Sequence, residues 1–241
     1  LAAESHVDNS FHSSINFTRS NTLGTHTLLE AARENNVKLF IHVSTDEVYG
    51  EQLEGEALEG DLLCPSNPYS ASKAAAEMIV NSYILSFNMP IITVRANNIY
   101  GYRQFPEKII PKFILKAIKK EKLTIHGSGE NTRHYLMAQD FAKAILTLIN
   151  KGKCGECYNI GTEDEYKNME IAGLICQHFG LPLKDNLINI ENRPFNDFRY
   201  SVNCDKLLNL GWKPAYQFKE TLPKVIDWYE KNIHRYYNLV L

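Results

Sequence analysis

Two groups of residues in this chain have the types and spacing to do acid–base chemistry. Thr45, Asp46 and Glu47 stand in a row in "HVSTDEVYG", directly after an apolar run. Tyr69 and Lys73 open and close "YSASK", a spacing that stacks them one above the other on a helix. An ammonium beside a phenol favours the phenolate and lowers its pKa, which makes Tyr69 a candidate base. Ser44 and Thr45 offer hydroxyls for the same substrate oxygen. Adjacent carboxyls disfavour double ionisation, so one of Asp46 and Glu47 is expected to hold a proton. Successive side chains of a strand point to opposite faces, so the chain must bend after Thr45 for both carboxyls to reach one substrate. The bland readings are a solvated acidic turn and a chance Tyr–Lys pair. The order strand, Ser/Thr, loop, Tyr-x-x-x-Lys helix is more specific than either motif alone.

The elements around these residues read as a doubly wound α/β protein. Residues 16 to 36 carry apolar residues at helical spacing, and 38 to 44 form a short β-rich run of the kind buried in parallel sheets. Residues 69 to 88 predict a long helix, and 90 to 101 the next strand and loop. Helix, strand, helix, strand is the rhythm of a parallel sheet with helical crossovers. From about residue 102 the pattern becomes mixed α+β: a helix at "PKFILKAIKK", strand–Gly turn–strand in "KLTIHGSGENTRHYLMAQ", a helix capped near Gln139-Asp140, a strand at "ECYNIG", and helices over 168–179 and 220–233. The expected division is a dinucleotide-binding part, 1–101, and a substrate-binding part, 102–241, with some later segments returning to the first. The tail "HRYYNLVL" has no assigned role.

Composition excludes several classes. Net charge is -2, with 44% hydrophobic and 22% charged residues, which fits an ordinary globular protein and gives no basic surface for nucleic acid. No apolar run reaches the ~20 residues of a membrane span. Five cysteines, an odd and sparse set, suit a reducing compartment such as the cytoplasm. Cys154 and Cys157 have redox spacing but no partner pair, and read as a turn entering a strand. No His/Cys/carboxylate set has metal-ligand spacing, so no metal is expected.

With these motifs in order, the chain resembles the extended short-chain dehydrogenase/reductase superfamily, and within it the nucleotide-sugar 4,6-dehydratases acting on dTDP-glucose or UDP-glucose. The resemblance runs through "LAAESHVDNS", "NTLGTHTLLEAAR", "VSTDEVYG", "NPYSASKAAAE", "NNIYGYRQFPEKIIPKFI", "YNIG", "NRPFNDFRY" and "LGWKP". It implies tightly held NAD and a reaction in three stages. Tyr69, helped by Lys73 and Thr45, takes the C4 hydroxyl proton as hydride leaves to NAD. Glu47 removes the C5 proton while Asp46 protonates the departing C6 hydroxyl. Hydride then returns to C6. The resemblance also implies that Ala2, Ala3, Asn21, Ser44 and Asn98 lie along the cofactor with Tyr69 and Lys73. It puts Asn98, Glu107, Lys108, Arg133, Arg193 and Asn196 on the substrate. A guanidinium fork suits phosphate oxygens. It further implies a homodimer through the helices at 16–36 and 69–88. Tyr102 and Met137 depart from the family, which often has a proline and an aromatic there.

An NAD enzyme of this kind needs a Gly-rich turn that lets the pyrophosphate reach helix N–H groups. No G-x-G-x-x-G occurs here. In the family "LAAESHV" follows a complete βαβαβ half, so the chain is expected to be part of a longer dehydratase and to turn over little alone. A nucleotide-sugar epimerase or decarboxylase on the same scaffold, or a binding protein without chemistry, are the competing readings. The motifs lean toward UDP-glucose without deciding against dTDP-glucose.

Overall fold

The computed structural model describes residues 2–236 and Leu239; most of the "YYNLVL" end of the tail lies outside the described residues. Three parallel strands carry the first part. β1 (Phe40–Thr45), β2 (Ile91–Ala96) and β6 (Cys157–Ile160) run in the order β1-β2-β6, with Thr45 level with Ala96 and Ala96 with Ile160. All six residues of β2 are buried, as expected of a central parallel strand covered on both faces. The third strand comes from far along the chain, so the later part helps to build the first sheet.

The helices differ from expectation in one instructive way. In place of a single helix over 16–36 there are α1 (Val7–His12), α2 (Ser14–Phe17), a π-helical stretch (Thr18–Leu23) and α3 (Gly24–Glu34). The π stretch carries Asn21, whose buried side chain bonds elsewhere rather than facing outward. The wider turn lies where a side chain must be aimed inward. α4 (Pro68–Phe87) matches expectation closely. Pro68 sits in its first turn, and the Asn67 side chain accepts from the Ser70 N–H at 2.9 Å while Ser70 Oγ accepts from the Asn67 N–H at 3.2 Å. This is a reciprocal cap for the orphan donors of the first turn.

The later part holds two further sheets. β3 (Asn98–Tyr100), β5 (Thr132–Met137) and β7 (Glu165–Lys167) form one, and β4 (Leu123–His126) pairs in parallel with β8 (Leu187–Ile190) in the other. The two strands around the Gly turn at 127–129 are therefore not a hairpin: each finds a different partner, a choice that local sequence does not encode. α5 (Ile109–Ile118), α7 (Asn168–His178) and α9 (Phe218–Lys231) close around a core that includes Ile110, Phe113, Leu115, Ile171 and Phe218. Each such side chain contributes about 1.5–3 kcal/mol on burial. α6 (Ala138–Lys151) begins after Met137, not at the Gln139-Asp140 cap expected; Asp140 is buried inside the first turn and accepts from the N–H groups of Ala215 and Tyr216. Cys154 and Cys157 are free thiols in a turn and at the start of β6, as read.

Candidate active site

The bend required after β1 is present. Residues Asp46–Tyr49 form one turn of 3₁₀ helix immediately beyond Thr45. Thr45 Oγ1 accepts from the Glu47 N–H at 3.3 Å and donates to Asp46 Oδ1 at 3.1 Å. The turn ends at Gly50, whose φ of +76° and contact with the Cys64 carbonyl leave no room for a Cβ. A tight turn in place of continued strand is what brings both carboxyls to one side.

α4 delivers Tyr69 and Lys73 to the same place. A single cavity of about 450 Å³ is lined by Thr45, Asp46, Glu47, Tyr69 and Lys73 together. Asn67 joins the two arms: it caps α4 and donates to Glu47 Oε2 at 3.4 Å. Behind them lies a buried ion pair. Arg95 on β2 binds Glu77, one helical turn past Lys73, at 2.6 Å, and donates to the Tyr49 hydroxyl at 2.7 Å. Tyr49 in turn donates to Asn159 on β6 at 2.8 Å. The helix with the Tyr–Lys pair and the turn with the carboxyls are thus tied through one guanidinium.

The electrostatics correct one expectation and support another. Lys73 donates to the Val43 carbonyl at 2.7 Å, and burial pushes its pKa down to about 8. Tyr69 is not lowered: burial, then the charges of Glu47 and Asp46, raise it well above the ordinary phenol, with a contact to the Thr45 hydroxyl working the other way. The phenol faces carboxyls, and the ammonium is engaged by a backbone oxygen. The carboxyl pair behaves as expected. Glu47 is pushed up to about 7 by burial and by Asp46, and Asp46 is raised by burial against the hydrogen bonds from Asn97 and Thr45. Each carboxyl is therefore driven toward its protonated form.

Most other expected residues also line this cavity: Ala2, Ala3, Ser44, Asn98, Glu107, Lys108, Arg133, Arg193 and Asn196. Ser44 Oγ is buried without a partner, as a group awaiting a ligand would be. Asn21 is the exception. Its amide is consumed by Glu4 N and O and by Ser72 Oγ, all at 2.9 Å, so it fastens the 2–5 segment to α4 and does not line the cavity. Arg133 is also partly engaged: it donates to the carbonyls of Thr132, Asp197 and Phe198 and lies over the Tyr200 ring.

Sequence reasoning missed several contributors. Asn97, not Asn98, holds the acid: its Nδ2 donates to Asp46 Oδ2 at 2.9 Å while its Oδ1 accepts from Thr162 N–H at 3.1 Å. Gly161 leaves the space for it. Asp197 is buried and takes both a Ser66 hydroxyl bond and one from Tyr200, which fixes the Arg193–Asn196 loop. His42 lines the cavity, is kept neutral by burial and Lys73, and has no partner for Nε2. The double asparagine and the Asp after "NRPFN" were visible, but which amide faces the acid depends on the β2–β3 junction. Among the described residues, His178, Asp227 and Glu230 come together as an exposed ion-pair cluster outside the cavity.

A Rossmann-like α/β scaffold with a Thr-Asp-Glu turn and a Tyr-x-x-x-Lys helix at one cleft defines the class: a protein of the short-chain dehydrogenase/reductase type. The comparisons agree. The family model of the GDP-mannose 4,6 dehydratases matches residues 1–225, and the chain belongs to that family. It is 48% identical over 236 residues to a trifunctional UDP-glucose 4,6-dehydratase/UDP-4-keto-6-deoxy-D-glucose 3,5-epimerase/UDP-4-keto-L-rhamnose-reductase of Arabidopsis thaliana, covering 96% of this chain and 35% of that protein. It is 44% identical to the dTDP-D-glucose 4,6-dehydratase of Homo sapiens, covering 99% of this chain and 70% of the relative. The dTDP-glucose 4,6-dehydratase DesIV of Streptomyces venezuelae, solved with NAD bound, superposes with a TM-score of 0.95 at 34% identity, covering 98% of this chain and 73% of that one. This chain thus spans about a third of the length of the plant relative.

Proposed function

We propose that this chain carries the chemistry of a nucleotide-sugar 4,6-dehydratase, converting UDP-glucose or dTDP-glucose to the 4-keto-6-deoxy sugar. The observation that supports this most is the shared cavity: a phenol, an ammonium, a threonine hydroxyl and two coupled carboxyls converge on it. NAD, when bound, supplies the acceptor for hydride from C4 and its return to C6. The unpartnered Ser44 hydroxyl and the cavity wall at Ala2, Ala3 and Lys73 fit such a group.

Tyr69 takes the C4 hydroxyl proton, with Thr45 donating to the same oxygen. The high phenol pKa in the ligand-free site means that a positive charge beside it is needed to release the proton, and a charged nicotinamide would supply one. The ketone at C4 acidifies C5. Glu47 then removes the C5 proton and Asp46 protonates the C6 hydroxyl as it leaves. One shared proton between them provides one acid and one base. Lys108 and Arg193 hold the diphosphate, with Asn196 beside them, and Glu107 orders the sugar end. In the same reading, residues 1–101 serve the cofactor and 102–241 mostly the substrate, the protein works in the cytoplasm, and it pairs as a homodimer through the helical segments at 16–36 and 69–88, where Leu23 of the π stretch, Leu28 of α3, and Met78 and Leu85 of α4 are exposed.

The test is product identification. The full-length gene product is incubated with each nucleotide sugar, and its Glu47→Gln variant is expected to oxidise C4 but to lose no water. Inversion at C4 without loss of water, slowed but not changed in kind by the substitution, would overturn the reading in favour of an epimerase.

A further inference from the structure

One end of the cavity gathers basic side chains around a carboxylate. His6 precedes α1, His126 ends β4, Arg193 follows β8, and Lys112 lies on α5; all line the cavity. At their centre is Asp8. Its Oδ2 lies 3.6 Å from His6 Nε2 and 4.0 Å from His126 Nε2, and it accepts from an Arg193 terminal nitrogen at 3.3 Å. Asp8 Oδ1 meets Arg193 Nε. The contact is an ion pair with one hydrogen bond, from the terminal nitrogen, and Nε lies against the other carboxylate oxygen without a hydrogen bond of its own. Lys108 lines the same cavity, donating to the Ser5 carbonyl and lying 3.5 Å from Glu107 Oε1.

We propose that Asp8 is an internal counter-ion that occupies the anion-binding end of the cavity, and that a diphosphate ligand displaces it from Arg193. The idea rests on the reading of the cavity as a nucleotide-sugar site. Asp8 sits on the Nε side of the guanidinium and neutralises its charge, so the carboxylate and a phosphate compete for one positive charge. Displacement multiplies the ligand's affinity by the fraction of molecules in which Arg193 is free, so an Arg193 free in about one molecule in ten costs about tenfold. In return, the cationic cluster stays ordered while empty of substrate. A ligand with more than one negative charge, which can pair with Arg193 and Lys112 together, competes best. Asp8 thereby favours a diphosphate over a lone carboxylate or a neutral sugar.

Inorganic pyrophosphate is the probe. Calorimetric titration of the full-length gene product and its Asp8→Asn variant is expected to show about tenfold tighter binding to the variant, because a competing charge has been removed. Equal or weaker binding overturns the proposal, since Asp8 would then be orienting Arg193 for the ligand. Arg193→Gln is expected to abolish pyrophosphate binding in both backgrounds; persistence, or no binding to any form, also overturns it. The unmodified protein gives an independent measure. By carbon NMR, the Asp8 carboxyl is expected to titrate at higher pH with pyrophosphate present, having lost its cations, and an unchanged titration sinks the idea. None of these readings depends on turnover. If they hold while no nucleotide sugar is dehydrated, the function fails and the counter-ion stands.

Discussion

The two ends of one cavity solve opposite electrostatic problems. At the inner end, Asp46, Glu47 and Tyr69 are crowded together out of water, and each is driven toward its neutral form. At the mouth, Arg193, His126 and His6 are half-buried and surround a carboxylate held below the ordinary range by their charge. Burial acts on the carboxyls of both ends in the same direction, toward a higher pKa. What differs is the neighbour. Asp46 has an acid beside it and Asp8 has a guanidinium. Proton transfer needs groups poised near neutrality, and anion binding needs permanent charge, so a single environment would not serve both.

The largest expected effect comes from the inner end. Tyr69→Phe should lower kcat about 10³-fold with little change in KM, since general acid–base groups contribute about 10²- to 10⁴-fold. A loss confined to KM would move Tyr69 from the acid–base set to the binding set. Next is the support behind it. Arg95→Met leaves Glu77 as an unpaired buried charge and should cost about 3–5 kcal/mol in stability, read by urea denaturation. An unaltered midpoint would mean that the Arg95–Glu77 pair does not tie α4 to the sheet. At the mouth, Arg193→Gln should raise KM about tenfold to a hundredfold, as hydrogen bonds to charged groups are worth about 1.5–3 kcal/mol, and should leave kcat nearly intact. A drop in kcat instead would erase the distinction between the two ends.

The remaining effect is a pH dependence. The Glu47 pKa is raised from 4.5 to about 7 in the folded protein. Between those values the folded state holds a proton that the unfolded state has released, so this group's contribution to stability is largest below about 4.5 and declines as pH rises toward about 7. Glu47→Gln should flatten that part of the stability profile. An identical slope in the variant would show that the raised pKa belongs to another group.

Much of this was legible from residue order. The β1 run, the α4 helix with its Asn67-Pro68 start, and the Thr-Asp-Glu turn follow from local rules of burial, capping and alternation, and they came out within a residue or two of expectation. The direction of the Tyr69 shift did not. Spacing puts Lys73 on the same helical face, but it says nothing of the Val43 carbonyl that takes the ammonium. The place of Asn21 outside the cavity was illegible for the same reason: its type suits a ligand, and its partners lie 17 and 51 residues away. The strands around Gly127–Gly129 were seen as strands but not as partners of β8, β3 and β7.

The amino-acid sequence by itself determined which groups are available for chemistry and which local elements carry them, because helix caps, strand alternation and turn residues act over a few positions. Only the tertiary structure decided the environment of each group: which amide meets Asp46, which oxygen holds Lys73, and that Asp8 faces Arg193. Those contacts join residues as much as 185 positions apart. Proton affinity and ion pairing depend on distance and burial in space, quantities that separation along the chain does not fix.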